Sequence, residues 1–137
     1  MVPGKEAGWD PTGVQVGDVE AGVQSVAVCH EVNETVVDTV ERHPVDLLLA
    51  YHPLLFRPTT AFVAGRSPAG RALRLARAGI NLAVIHTAFD AAAGGTADAL
   101  AQAAGIAQPR PFGRLQGEDT VKVVTFVPPD RVEAVAV

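Results

Sequence analysis

The sequence has 137 residues, 48% of them hydrophobic and 19% charged, which suits one domain with a modest core. Its formal net charge is -4 and its 11 Lys and Arg are scattered, so it has no basic patch to neutralise phosphates, which argues against nucleic acid or an anionic membrane as partner. Cys29 is the single cysteine, which excludes an intrachain disulfide and makes a reducing cytoplasmic compartment the expected one; "MVPGKEAGW" lacks the apolar core of a signal peptide, and the longest apolar run, interrupted by Asp46, His52 and Arg57, is too short to span a bilayer.

In chain order, a turn-rich opening with Gly4, Gly8, Pro11 and Gly13 leads into "VQVG" and then "VQSVAVC", the second a good strand candidate. In "EVNETVVDTVERHP", Asn33 is placed to cap a helix, Val36, Val37 and Val40 recur at helical spacing, and Pro44 stops the pattern. "VDLLLAYH" is apolar without alternation, as expected for a strand covered on both faces in a parallel sheet. Pro68 opens a second helix through "AGRALRLARA", Gly79 closes it, and "INLAVIH" is another unalternating strand. "GGTADALAQAAG" gives a third helix, with Thr96 as the expected cap and Gly105 as terminator. Strands alternating with helices of this length predict an α/β fold, a mostly parallel sheet joined by βαβ crossovers. Residues 1–106 read as the main α/β unit. "AQPRPFGRLQGED" reads as a linker over 107–119, and 120–137, from "TVKVVTFVP" onward, as the first strand and helix start of an inserted α+β domain.

In a parallel sheet the carboxyl ends of the strands share one edge, where ligand crevices form. His30 and Glu31 follow the first strong strand, Tyr51 and His52 the second, and His86 ends the third, with Asp90 in the short loop beyond it. Three parallel strands therefore bring acid–base and metal-capable groups to one edge. Each residue also has a plainer reading. Pro53 makes "YHP" consistent with turn geometry alone, Asp90 with a loop or capping residue, His43 with favourable charge at a helix end, and Trp9 with packing.

Taken together, "GWDPTGVQVGD", "LLLAYHPLLF", "SPAGRALRLARAGINLAVIHTAFDAAAGGTADALAQAAGI" and "VKVVTFVPPDRVEAVAV" resemble the NGG-interacting-factor-three-like family, whose bacterial members are often labelled GTP cyclohydrolase 1 type 2 homologues. The resemblance implies a dinuclear centre of divalent metal ions, such as Zn, Fe, Mn or Mg, in a metal-dependent hydrolase. It also implies a homo-oligomer, usually a ring-shaped hexamer, acting on a small-molecule substrate. The family's motifs are His-His-Pro and His-Thr-Asn-x-Asp, completed by a His and a Glu from the carboxyl-terminal half. By that likeness His52 and Asp90 are metal ligands, and His86 and Tyr51 lie beside them and orient the donors. Glu31, near the same edge, is the candidate catalytic base. Tyr51 stands where the motif has its first His, and Ala88 where it has Asn. A neutral phenol is a poorer ligand than imidazole for most divalent ions, and two protein ligands do not close a hydrolytic site. The sequence thus leaves three readings: a metal-dependent hydrolase, a binding or oligomerisation module that keeps the scaffold without its chemistry, and a piece of a longer product whose remainder carries the missing ligands.

Overall fold

The computed structural model describes residues 9–110. The expected inserted-domain start over 120–137, and the expected linker beyond 110, lie outside the described residues. Four strands form one sheet: β1 (Gly13–Val16), β2 (Val26–Cys29), β3 (Leu47–Ala50) and β4 (Asn81–Val84), in the spatial order β1-β4-β3-β2. β2, β3 and β4 run parallel and β1 is antiparallel to β4. The mostly parallel α/β architecture is the one the strand–helix alternation predicts.

Helix α1 (Glu34–Arg42) connects β2 to β3, and α2 (Pro68–Arg77) connects β3 to β4. The Asn33 side chain accepts a hydrogen bond from the Val36 amide at 3.0 Å, and Ser67 does the same for Gly70 at 3.0 Å, satisfying amides that have no partner inside the helix. Pro68 sits in the first turn of α2, where its missing N–H costs nothing. Beyond α2 the chain reverses at Gly79, whose φ is +71°, a left-handed conformation that glycine adopts without strain.

Both helices cover one face of the sheet. Val37, Val40, Ala72 and Leu75 pack with Leu48, Ala50, Leu82 and Val84 in a buried core. Each large side chain buried here stabilises the fold by about 1.5–3 kcal/mol. The other face is more open: Val26 and Val28 are 52% and 74% exposed. A cavity of about 390 Å³ lies there between Val28, Leu49, Tyr51, Ile85, Phe89 and Thr96.

Polar anchors pin the amino-terminal end of the sheet. One Asp46 carboxylate oxygen accepts from the Gln24 and Ser25 amides and the Ser25 hydroxyl, which fixes the register of β2 on β3. Asn81 donates to the Asp46 carbonyl and accepts from the Asp18 amide. A side chain at Gly17 would collide with the Asn81 amide, and φ there is +107°, so glycine is required twice over.

Two elements differ from expectation. His86 does not end a strand, and Asp90 does not lie in a loop: they are the first and last residues of a short helix, α3 (His86–Asp90). The last described helix, α4 (Thr96–Ala103), has Gly95 at its N-cap, so Thr96 is its first residue and not its cap. Gly95 is buried against the Phe89 carbonyl, where a β-carbon has no room. Asp98 caps this turn by accepting from the Gly94 amide at 2.7 Å. Among the described residues no helix is long and apolar enough to cross a membrane.

Candidate functional site

The ladder of backbone hydrogen bonds runs past the ends of the strands and carries the functional residues with it. The Tyr51 and His52 amides donate to the carbonyls of Cys29 and His30 at 3.0 and 2.9 Å. On the other side, the Ile85 and His86 amides donate to Ala50 and Tyr51 at 3.1 and 3.0 Å. Pro53, with no N–H, then ends the pairing. Neighbouring strands lie about 4.8 Å apart, so residues in adjacent register must touch. Their rings do: His30 and His52 have centroids 4.4 Å apart, Tyr51 stacks on His30 at 5.1 Å, and His86 meets Tyr51 and His52 edge-on at 5.7 and 5.5 Å.

Two carboxylates hold this cluster. The Tyr51 hydroxyl donates to Asp90 Oδ1 at 2.7 Å. That bond, together with burial, holds the phenol above its ordinary pKa, so it is a neutral donor at physiological pH. Asp10 holds His86: its Oδ1 lies 2.8 Å from His86 Nδ1, and its Oδ2 accepts from the Thr87 amide at 3.1 Å and from the Thr87 hydroxyl. Asp10 is 76 residues from His86 and caps α3, whose own N-cap, Ile85, has no capping side chain. The Asp10 side chain is wholly shielded from solvent. Burial pushes its carboxyl up, but the hydrogen bonds from Thr87 and His86 and the attraction of His86 outweigh this and leave it below the ordinary 3.8. An ionised carboxylate can only accept, so His86 Nδ1 carries a proton; in the neutral ring Nε2 is then the free base.

The structure thus brings together Tyr51, His52, His86 and Asp90 on the edge that topology predicts. Glu31 lies on the bend that follows β2, exposed, and takes no part in these ring contacts; its neighbour His30 does. Asp10 and Thr87 were not foreseen. Trp9 is not the packed residue expected: it is 65% exposed and faces His86 at 6.5 Å and Phe56 at 6.2 Å. Among the described residues no group of three or more His, Cys, Asp or Glu side chains is arranged to hold a metal ion. Asp10 is engaged by His86 and Thr87, and Asp90 by Tyr51.

A family model described as Duf34/NIF3 (NGG1p interacting factor 3) matches residues 2–135. The chain belongs to the Duf34/NIF3 family. Similar proteins named GTP cyclohydrolase 1 type 2 homolog occur in Mycobacterium tuberculosis, 39% identical over 129 residues, and in Listeria innocua, 32% identical over 126 residues. These alignments cover 93% and 92% of this chain but 33% and 34% of the relatives. The chain therefore spans about a third of the length of the curated relatives it matches. Among solved structures, a Bacillus cereus protein related to NIF3 superposes with a TM-score of 0.69 at 30% identity, covering 77% of this chain and 29% of that one. Reduced HcgD from Methanocaldococcus jannaschii gives 0.72 at 27% identity, covering 82% and 45%. This Duf34/NIF3 chain thus shares its α/β fold with those proteins over most of the described residues.

Proposed function

We propose that the ring cluster is one wall of a metal-assisted hydrolytic site of the Duf34/NIF3 type, with His52 and Asp90 as its donors to a divalent ion. The observation that carries the reading is the convergence of His30, His52 and His86, each just beyond the end of a parallel strand, onto one edge beside two carboxylates. The name of the curated relatives, which denotes a hydrolase acting on a nucleotide, points the same way.

The described residues do not by themselves close around an ion, so the remaining ligands come from outside them, in a longer chain or a homo-oligomer such as a hexamer. Bound there, an ion would supply an activated water. The work of this chain's own residues is more local. Asp10 sets the tautomer and angle of His86, Tyr51 holds Asp90 in place through its hydroxyl, and the neighbouring imidazole of His30 offers a base for proton transfer. Glu31 serves as a further base only if a ligand draws it to the edge.

A second reading, a binding or oligomerisation module without catalysis, is favoured by the Tyr51–Asp90 hydrogen bond, which takes up one oxygen of the carboxylate an ion would need. Elemental analysis of the purified, size-fractionated chain decides between them. The hydrolytic reading expects bound metal that is lost in both His52→Ala and Asp90→Ala proteins. A folded, assembled wild type without metal supports the module and contradicts an ion site completed within assemblies of this chain.

A further inference from the structure

The large aromatic side chains at the rim of the cluster do not behave like ordinary surface residues. Trp9 and Phe56 are 65% and 51% exposed, although residues of this size usually bury most of their area. They are nevertheless held in place. The Gln15 side chain donates to the Pro11 carbonyl at 2.9 Å and to the Leu55 carbonyl at 3.1 Å, and accepts from the Leu55 amide at 2.9 Å. One amide thus ties together the two segments that carry Trp9 and Phe56. On the next residue after Trp9, Asp10 is locked to α3 by His86 and Thr87. The result is a corner of three rings, Trp9, Phe56 and His86, with centroids 6.2 to 6.5 Å apart and planes at 59° to 86°. His86 belongs both to this corner and to the polar cluster. Phe56 also lines a cavity of about 580 Å³ with Arg57, Thr59, Val63 and Ser67, within the size range of small-molecule sites.

Rings that are fixed before binding lose little freedom on binding, and an exposed indole face with a second ring tilted against it, beside hydrogen-bonding imidazoles, suits a flat ligand with polar edges. The geometry points to Trp9 and Phe56 as a stacking subsite for a planar heteroaromatic ring, which sets the substrate class of the adjoining polar cluster. The inference rests on that cluster being the site where the small molecule is handled, and it does not require an ion.

Trp9 is the only tryptophan, so its fluorescence in the full chain reports on this wall alone. Guanosine is the probe, and ribose 5-phosphate, which lacks the ring, is the control. The expected result is saturable quenching of Trp9 emission by guanosine and none by ribose 5-phosphate. The half-saturating concentration should rise about tenfold in Phe56→Ala and also in Phe56→Leu, which keeps the apolar bulk and removes the ring. Non-saturating quenching, or equal saturation in both variants, would overturn the subsite. So would Trp9 emission shielded from acrylamide in the free protein, because the wall would then be covered by a second copy or by other residues of the chain. Metal content measured on the same samples separates the two proposals. Bound metal without a guanosine response removes the stacking subsite only, and a guanosine response without metal removes the ion site only.

Discussion

The residue that organises the site is Asp10. It reaches across from the start of the described chain to anchor a helix and an imidazole that come much later. Replacing it by Asn leaves the Thr87 amide and hydroxyl a weaker acceptor and removes the charge facing His86. Hydrogen bonds to a charged group contribute roughly 1.5–3 kcal/mol, so Asp10→Asn should lower the unfolding free energy by about 2 kcal/mol in urea titrations at neutral pH. The pH dependence has a definite sign. The folded carboxyl titrates below its ordinary 3.8, so its contribution is fully present above that value and is lost as pH falls through the lower, folded value. The gap between wild type and Asp10→Asn should therefore close in strong acid, and a gap that widened there would contradict the assignment. Tyr51 allows a second test at this scale. Its hydroxyl occupies Asp90, and imidazole is the better ligand for most divalent ions. Tyr51→His should thus strengthen Mn or Zn binding by about tenfold, read by isothermal titration; unchanged affinity would show that position 51 does not face the ion.

Among the elements, α1 and α2 are joined by charge as well as by core packing. Arg74 on α2 reaches Glu34, Asp38 and Glu41 along one side of α1, at 3.0, 2.6 and 2.5 Å. The bonds to Glu41 and Asp38 hold the guanidinium above its ordinary pKa, and Arg74 in turn holds the Glu41 carboxyl below its own. The network is largely solvated, so Arg74→Met should cost about 1 kcal/mol at low ionic strength and less in high salt. A loss independent of salt would mean that packing, not charge, joins the helices. A different prediction concerns Gly95, where a methyl group meets the Phe89 backbone carbonyl. Gly95→Ala should destabilise the α3–α4 corner by about 2 kcal/mol and speed amide exchange from Ala91 to Ala99, leaving β2 and β3 protected.

These elements also show what the sequence could disclose. α1 is legible because Asn33 is a capping residue ahead of apolar residues at helical spacing, α2 because Pro68 opens it and Gly79 closes it, and β3 and β4 because their apolar runs lack polar alternation. α3 was not legible: five residues are too few for a helical period, and its cap comes from Asp10, far away in the chain. For the same reason composition and spacing could place His52, His86 and Asp90 near one edge but could not reveal the Asp10–His86 pair. His30 and Glu31 are adjacent, and the turn after β2, which decides which of them joins the cluster, has no sequence signature. The exposure of Trp9 has no sequence signature, because exposed aromatic rings are rare, and the contacts that fix its segment, from Gln15 to Leu55 and from Asp10 to His86 and Thr87, come from far along the chain.

For the whole molecule, the two ends of the sheet differ in chemistry. Asp46 and Asn81 tie down the amino-terminal end with hydrogen bonds that leave little to react, whereas the carboxyl end gathers imidazoles, a phenol and carboxylates in partial contact with solvent. The proposed ion is drawn to the second end, at His52 and Asp90, and paramagnetic Mn titrated into the full chain reports its position by nuclear magnetic resonance. The His52 ring and the Asp90 and Tyr51 signals should broaden first, while Ser25 and Asp46 at the opposite end stay sharp. Broadening that begins on the acidic side of α1, at Glu34, Asp38 and Glu41, with the His52 ring unaffected, would contradict it.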